Sequence, residues 1–200
     1  MRIDFVIGRL KAGGAERVVS VLANYFAEKN NIVRIITFND PDEYEISSAI
    51  ERIKFHKKGI ITYSVVRGFF SLLSFYYKKE NRPDVICSHI GIVGYATIIP
   101  ARLYGIKITV SEHTNHFHQK VTFSKKILWN FLYRLPDAVV ILTQFDFAFF
   151  QNKNKNVVVI HNPCSFAPID NLKLEREKVI LAIGNLKFDK RSMKYLITLD

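Results

Sequence analysis

The pattern that decides the fold lies in residues 2–38, RIDFVIGRLKAGGAERVVSVLANYFAEKNNIVRIITF. The apolar run Arg2–Gly8 predicts a buried strand, and Val33–Phe38 predicts a second one. Between them, apolar side chains recur at helical spacing over Ala15–Lys29, which predicts an amphipathic helix. A strand, a crossover helix and a second strand form the unit from which parallel sheets are built.

The same order of strand and helix continues along the chain. Further strands are predicted at Arg52–His56, Asp84–Ser88, Lys107–Ser111, Asp137–Leu142 and Val157–Ile160. Further helices are predicted at Ser64–Lys79, Gly91–Tyr104, Ser124–Leu135 and Gln144–Phe150. Runs such as VVIL at 139–142 lack the alternation of a sheet with one wet face. The pattern therefore predicts an α/β fold with a doubly wound parallel, Rossmann-like sheet.

Three residues mark details of these helices. Pro100 is expected to kink or interrupt its helix, since proline removes one backbone hydrogen bond and clashes with the preceding turn. Ser124 and Thr143 each stand at a predicted helix start and are expected to cap it.

The chain changes character after Asn162–Pro163. We expect a first domain over residues 1–165, a linker over 166–177, and the first β-α unit of a second α/β domain over 178–200. No further strand follows to complete a second sheet, so the sequence is expected to be a fragment of a longer protein.

Composition excludes several broad classes. Hydrophobic residues make up 48% and charged residues 24%, which excludes disorder of the whole chain. The uncharged stretch Ile90–Ala101 is too short to span a bilayer, which needs about 20 residues, and no signal peptide is evident. Cys87 and Cys164 lie outside any Cys-x-x-Cys pair, as expected of free thiols in a reducing compartment. A cytoplasmic protein is therefore expected.

The net charge of +11 indicates an anionic partner: nucleic acid, an acidic membrane surface or a phosphorylated substrate. No nucleic-acid recognition motif is present, so nucleic acid is not an expected partner. The helix Ser64–Lys79 and the aromatic segment 120–134 have the basic, amphipathic character of helices that lie on anionic membranes. They could equally use their apolar faces to cover the sheet.

Ligands of doubly wound folds bind at the carboxyl ends of the strands. After the first strand, Gly13 and Gly14 precede a helix, so they could admit an anion to its N-terminus or serve a turn that needs positive φ. The loop matches neither the dinucleotide nor the Walker pattern.

Histidines follow two other strands, and their role stays open. His113, His116 and His118 have no standard zinc spacing, so a metal site is a weaker interpretation than a neutral His113 that holds a polar substrate, or a solvated loop. His89, alone, fits a structural histidine better than a functional one. Asp84 and Asp137 open strands and are expected to be structural.

Six segments together resemble the amino-terminal half of a family 4 glycosyltransferase. They are Gly13–Arg17, Pro83–His89, Val110–Asn115, Asp137–Thr143, Ile160–Pro163 and Ile180–Ile197, and they occur in the family's order. The resemblance implies a GT-B architecture of two facing Rossmann-like domains. This chain would hold the amino-terminal lobe and the first β-α unit of the second lobe.

The resemblance also implies an activity. It implies retaining transfer of a sugar from a nucleotide-diphosphate donor to a glycan or lipid-phosphate-linked acceptor in surface polysaccharide synthesis, with no metal and no cofactor beyond that substrate. It implies that the protein is cytoplasmic and that it can bind the anionic inner face of the cell membrane. The alternative is a noncatalytic single-lobe protein that binds glycan or phosphate, or scaffolds a transferase. The oligomeric state is not indicated.

The family's site residues carry over to matching positions. His113 would be catalytic, and the substrate would be bound by Gly13, Gly14, Glu16, Arg17, His89, Glu112 and Asn115. Lys190 and Arg191 would bind the donor phosphates. Asn185 stands where the family has arginine, which weakens that clamp unless Arg191 substitutes. The rest of the nucleotide pocket would lie beyond Asp200, so these 200 residues alone are expected to be inactive.

Overall fold

The computed structural model describes residues 1–11, 13–40, 43–55, 63–113, 127 and 130–164. The predicted linker, the β-α unit after it and the proposed cap at Ser124 lie outside the described residues. The domain boundary therefore stays a prediction.

The described residues form one seven-stranded sheet in which every neighbouring pair of strands is parallel. Its strands are β1 Arg2–Ile7, β2 Ile32–Thr37, β3 Glu51–Lys54, β4 Val85–His89, β5 Lys107–Glu112, β6 Ala138–Ile141 and β7 Val157–Val159. They stand in the order β3-β2-β1-β4-β5-β6-β7. The predicted α/β class and parallel sheet are confirmed, with strand ends displaced by one or two residues.

The helices whose bounds are described are α1 Gly14–Glu28, α2 Ser64–Tyr77, α3 Gly91–Leu103 and α4 Phe147–Gln151. Residues 127 and 130–132, within the helix predicted at Ser124–Leu135, are helical as well. The single helix predicted at Gln144–Phe150 is wrong in detail, because a 3₁₀ turn at Gln144–Asp146 precedes α4. The Thr143 hydroxyl donates to the Asp146 carboxylate over 3.3 Å and makes no capping bond to the backbone. Within the same ranges, no helix combines the length and apolar character that a bilayer crossing requires.

Of the two outcomes expected at Pro100, an interruption of α3 is wrong. Pro100 stands in the last turn, so the helix loses one backbone hydrogen bond there and still reaches Leu103. Gly105, at φ +67°, then ends the helix in the left-handed conformation that glycine adopts without strain.

Two apolar cores lie on opposite faces of the sheet. One holds α1 side chains such as Val19 and Ala23 against Phe5 and Ile35. The other holds α2 and α3 side chains, including Leu72, against strand residues such as Val110. The sheet is thus covered on both faces, which explains why its central strands are apolar on both sides.

A buried ion pair joins β1 to β2. Asp4 and Arg34 are register partners, and the guanidinium donates to both carboxylate oxygens over 2.7 and 2.8 Å. The Tyr76 hydroxyl of α2 also donates to Asp4, over 2.7 Å. Burial raises the pKa of Asp4, against the hydrogen bonds from Arg34 and Tyr76 that lower it. The network therefore fixes both the register of β1 against β2 and the position of α2 on the sheet.

Asp84 and Asp137 directly precede β4 and β6 and have structural roles there, as expected. Asp84 accepts a hydrogen bond from the Arg2 backbone over 2.8 Å, and Asp137 accepts one from the Ile108 backbone over 2.7 Å. Both carboxylates tie the start of a strand to its neighbour, and Asp137 also pairs with Arg102.

The ion pair allows a test of what stabilises the domain. We expect Asp4→Asn to lower the free energy of unfolding by about 3–5 kcal/mol, because it leaves the Arg34 charge buried without its carboxylate. Asp40→Asn removes the same charge from an exposed pair with Lys54 and should cost less than about 1 kcal/mol. Urea unfolding measures both, and similar losses in the two variants would contradict the assignment.

Candidate functional site

The sheet has one topological switch point, between β1 and β4, since the chain runs outward from β1 in one direction and from β4 in the other. Ligand crevices of α/β sheets form at such points. A pocket of about 280 Å³ lies there, and its lining includes Gly8 and Arg9 after β1, Asn39 after β2, and Ile90 after β4.

Three helices begin around this pocket. Its lining includes Glu16 of α1, Ser64 of α2 and Ile92 of α3, each within the first turn or so of its helix. None of the three helices has a side-chain hydrogen bond at its N-cap. Backbone N–H groups and the positive ends of three helix dipoles therefore lie close to the exposed Arg9, an arrangement that suits an anionic ligand.

The glycine loop enters α1 beside this pocket. Gly13 has extended backbone at φ −171°, and Gly14 is the exposed first residue of the helix, so the interpretation that these glycines serve positive φ is wrong. The Tyr44 hydroxyl clamps the loop, since it accepts from the Gly13 N–H over 3.1 Å and donates to the Gly13 carbonyl over 2.8 Å. A Cβ on Gly13 would meet the Glu16 carboxylate. Arg17 is exposed one residue further on.

Two histidines meet at the ends of β4 and β5. His89 Nδ1 lies 2.9 Å from His113 Nε2, a hydrogen bond between imidazoles. His89 is 2% exposed, and its ring also packs against Phe5. Burial, with the neighbouring His113 as a smaller cause, lowers the pKa of His89 to about 3. Burial also lowers the pKa of His113, so both rings are neutral at neutral pH.

The histidine pair faces a cleft of about 450 Å³ on the α1 side of the sheet. Its lining also includes Cys87, Ser111 and Val140 of the sheet, and His161 and Pro163 after β7. Apolar side chains dominate the cleft, so the imidazole nitrogens are among its few polar groups. A neutral imidazole can donate or accept a hydrogen bond from a polar ligand there.

Ile90 follows His89 with φ +73°, a strained conformation for a β-branched residue. Its N–H donates to the Ser111 carbonyl over 3.0 Å, which extends the β4–β5 ladder past the strand end. The strained residue thus stands where the chain leaves the sheet, and it belongs to the lining of the switch-point pocket.

Glu112 lies apart from the histidine cleft. Alternation along β5 places its carboxylate on the other face of the sheet, where it is 5% exposed and accepts a hydrogen bond from the Tyr133 hydroxyl. A Cβ at Gly91 would clash with this carboxylate and with the Tyr133 hydroxyl. The predicted substrate-binding role of Glu112 has no support in this placement and stays a prediction.

The structure therefore brings His89 and His113 together, and gathers Gly13, Gly14, Glu16 and Arg17 at the start of α1 beside the switch-point pocket. Asn115, Lys190 and Arg191, like His116 and His118, lie outside the described residues. Among the residues that are described, no three His, Cys, Asp or Glu side chains come together as a metal site.

Sequence reasoning missed two residues that support the site. Tyr44 stands in a loop without a motif, and only its contact with Gly13 shows its role. Arg67 lies within α2, 6% exposed, and donates to the Phe38 carbonyl over 2.7 Å and to Asn39 over 3.0 Å. A buried arginine in an otherwise apolar helix was the available signal for it.

The chain belongs to glycosyltransferase family 4. The model of that family, Glycosyltransferase Family 4, matches residues 12–166. The described sheet is accordingly the amino-terminal lobe of a GT-B fold.

A relative from Campylobacter jejuni is 29% identical over 210 residues. It is the GalNAc-α-(1→4)-GalNAc-α-(1→3)-diNAcBac-PP-undecaprenol α-1,4-N-acetyl-D-galactosaminyltransferase. The alignment covers 98% of this chain and 56% of the relative. The chain thus spans little more than half the length of the relative that it matches.

Solved structures share the fold at low identity. Sucrose-phosphate synthase from Thermosynechococcus elongatus is 16% identical with a TM-score of 0.62, over 80% of this chain and 47% of that one. The lipopolysaccharide outer core galactosyltransferase WaaB is 15% identical with a TM-score of 0.62, over 84% and 48%. Anabaena Alr3699/HepE in complex with UDP is 16% identical with a TM-score of 0.58, over 81% and 44%.

The buried histidine predicts a pH dependence of stability. Because His89 titrates near pH 3 in the folded chain and near its ordinary 6.5 when unfolded, the unfolded state binds the additional proton between these values. The free energy of unfolding therefore decreases as the pH is lowered through this range, by up to about 1.4 kcal/mol per pH unit. Between pH 7 and pH 5 we expect the unchanged chain to lose about 2 kcal/mol more than His89→Asn.

Urea unfolding at the two pH values measures this difference. His161→Asn, at an exposed histidine, is the matched control and should keep the full loss of stability. An equal pH dependence in the unchanged chain and in His89→Asn would contradict the assignment.

Proposed function

We propose that this chain is the acceptor-side lobe of a glycosyltransferase that moves a sugar from a nucleotide-sugar donor to a lipid-phosphate-linked glycan in surface polysaccharide synthesis. The observation that carries the proposal is the switch-point pocket, where three uncapped helix starts and Arg9 provide an anion site within a family 4 lobe. The Campylobacter relative, whose name places it on an undecaprenyl-diphosphate glycan, supports the acceptor class.

The proposed reaction is a displacement at the anomeric carbon of the donor sugar, with retention of configuration. The acceptor hydroxyl oxygen forms a bond to that carbon as its bond to the diphosphate oxygen breaks. The electron pair leaves with the nucleoside diphosphate, which also takes up the hydroxyl proton. His113 would hold the transferred sugar, and Gly13 and Gly14 would let the substrate phosphates approach the start of α1.

No metal or cofactor beyond the nucleotide sugar enters this proposal. Helix N-termini and cationic side chains offset the charge of the leaving diphosphate instead. Lys190 and Arg191 are the proposed donor-side cations, and Asn115 a proposed substrate ligand. Activity would then require a complete donor-binding lobe, so the 200 residues alone are expected to be inactive.

The surface of α2 and α3 suits a lipid-borne acceptor. Large apolar side chains are exposed on or beside both helices: Tyr63, Val66, Phe70, Tyr77, Ile92, Ile99 and Leu103. Lys78 and Lys79 follow directly after α2 and are exposed. Apolar side chains with adjacent cations favour contact with an anionic bilayer. We propose that this surface rests on the inner face of the cell membrane, with the protein in the cytoplasm.

The proposed activity is tested by measuring sugar transfer from a nucleotide sugar to a polyprenyl-diphosphate glycan. The gene product purified from its source cells and the 200-residue chain are assayed in parallel. We expect transfer by the former alone. Arg9→Gln should raise KM for the acceptor about tenfold, because Arg9 is proposed to bind the diphosphate of the acceptor lipid. A tenfold change corresponds to about 1.4 kcal/mol of lost binding free energy.

Arg134→Gln is the matched control, because this exposed arginine precedes β6 at the opposite end of the sheet. The Arg134→Gln variant loses the same positive charge as Arg9→Gln and should leave KM for the acceptor unchanged. Equal effects of the two variants would reject the switch-point pocket as the phosphate site. Acceptor binding without transfer by the gene product would favour the noncatalytic alternative.

A further inference from the structure

The contact between His89 and His113 determines which nitrogen of His113 is left for a ligand. Each imidazole nitrogen makes one hydrogen bond in the plane of its ring, as donor or as acceptor. The bond of 2.9 Å occupies Nδ1 of His89 and Nε2 of His113. The ring of His113 can therefore reach a ligand through Nδ1 alone.

His89 is the fixed member of the pair. It is the last residue of β4, in register with Ser111 of β5, and its ring is buried against Phe5 at 5.9 Å between ring centroids. The ladder bond from Ile90 to Ser111 holds the backbone directly after it. His113 is only partly buried and follows the end of β5. The supporting ring is thus anchored by the sheet, and the supported ring faces the cleft.

The polar atoms of the pair favour one arrangement of the hydrogens. In the part of the chain that the structure describes, no hydrogen bond is made by His89 Nε2 or by His113 Nδ1. A buried N–H without an acceptor is rarer in proteins than an unused acceptor. Either arrangement leaves one N–H of the pair without an acceptor among the described residues. His89 is 2% exposed, whereas His113 is partly buried beside the cleft, so that N–H is better placed on His113, where a ligand or water can accept from it. His89 therefore carries its hydrogen on Nδ1, donates it to His113 Nε2, and keeps Nε2 as an acceptor. Neutral His113 then carries its own hydrogen on Nδ1.

We propose that His89 is a positioning residue, which fixes His113 in the Nδ1–H tautomer and thereby presents one N–H donor to an uncharged oxygen of the sugar. The sugar as ligand rests on the proposed function; the tautomer does not. The depressed pKa values of both rings agree with a pair that stays neutral, and a neutral donor suits a hydroxyl or ring oxygen better than it suits a phosphate. His89 acts through His113 and does not itself contact the sugar.

Nitrogen-15 NMR of the histidine rings in the 200-residue chain tests the tautomer directly. We expect His113 to show a protonated Nδ1 and a bare Nε2 at pH 7, with a scalar coupling across the N–H···N bond to His89 Nδ1. His89→Ala should abolish the coupling and let His113 exchange between both tautomers. His89→Asn, whose amide nitrogen stands near the position of Nδ1, should keep His113 in the Nδ1–H form.

The nitrogen-15 spectrum of the unchanged chain determines the tautomer of His113 without any variant. A hydrogen on His113 Nε2, or an absent coupling, would overturn the proposal even if His89→Ala fails to fold. In the active gene product, His89→Ala should lower kcat about tenfold or more with little change in KM, and His89→Asn should restore it.

The two proposals fail in different ways. An Nδ1–H tautomer with full transfer activity in His113→Ala would sustain the tautomer and overturn the role of this ring in sugar transfer. A changed tautomer in His89→Ala with unchanged kcat would overturn the positioning role while leaving the transferase proposal intact.

Discussion

The architecture of the lobe depends on one buried ion pair, between Asp4 and Arg34. Asp4 is fully buried on β1, and its carboxylate joins β2 through Arg34 and α2 through Tyr76. A one-residue slip of β1 against β2 would separate the two charges in an apolar interior, where the penalty is several kcal/mol. An apolar core alone tolerates rearrangement more readily, so this pair specifies one register and one seat for α2.

Register at the centre of the sheet determines what meets at its edge. β1 pairs with both β2 and β4, and β4 in turn pairs with β5, so an error at β1 would be transmitted to the strands beside it. His89 and His113 stand on adjacent strands, one directly at and one directly after a strand end. A contact of 2.9 Å between their rings requires those strands to be aligned within a fraction of one residue. The ion pair lies within β1 and β2, and the histidine pair lies where β4 and β5 end, but the two pairs share one geometric requirement.

Local patterns were sufficient for the fold and only partly for the site. Apolar runs identified the seven strands, and the strand-end rule directed attention to Gly13, His89 and His113, whose functional roles stay predictions. The contact between the histidines joins residues 24 positions apart and depends on strand order, which no local pattern encodes. The face occupied by Glu112 was open to prediction, because alternation along β5 separates it from His113. Tyr44 acts through its hydroxyl on the backbone of Gly13, so no spacing rule identifies it.

Ile90 bears on how such a lobe can evolve. A glycine would adopt φ +73° and ψ +123° with less strain, so selection for stability alone would tend to replace the isoleucine. Its side chain packs with the α1-side core, and its backbone turns the chain sharply after His89. A stabilising replacement would therefore exchange apolar packing beside the pocket for a relaxed turn. Stability and the rigidity of the pocket are in competition at this single position.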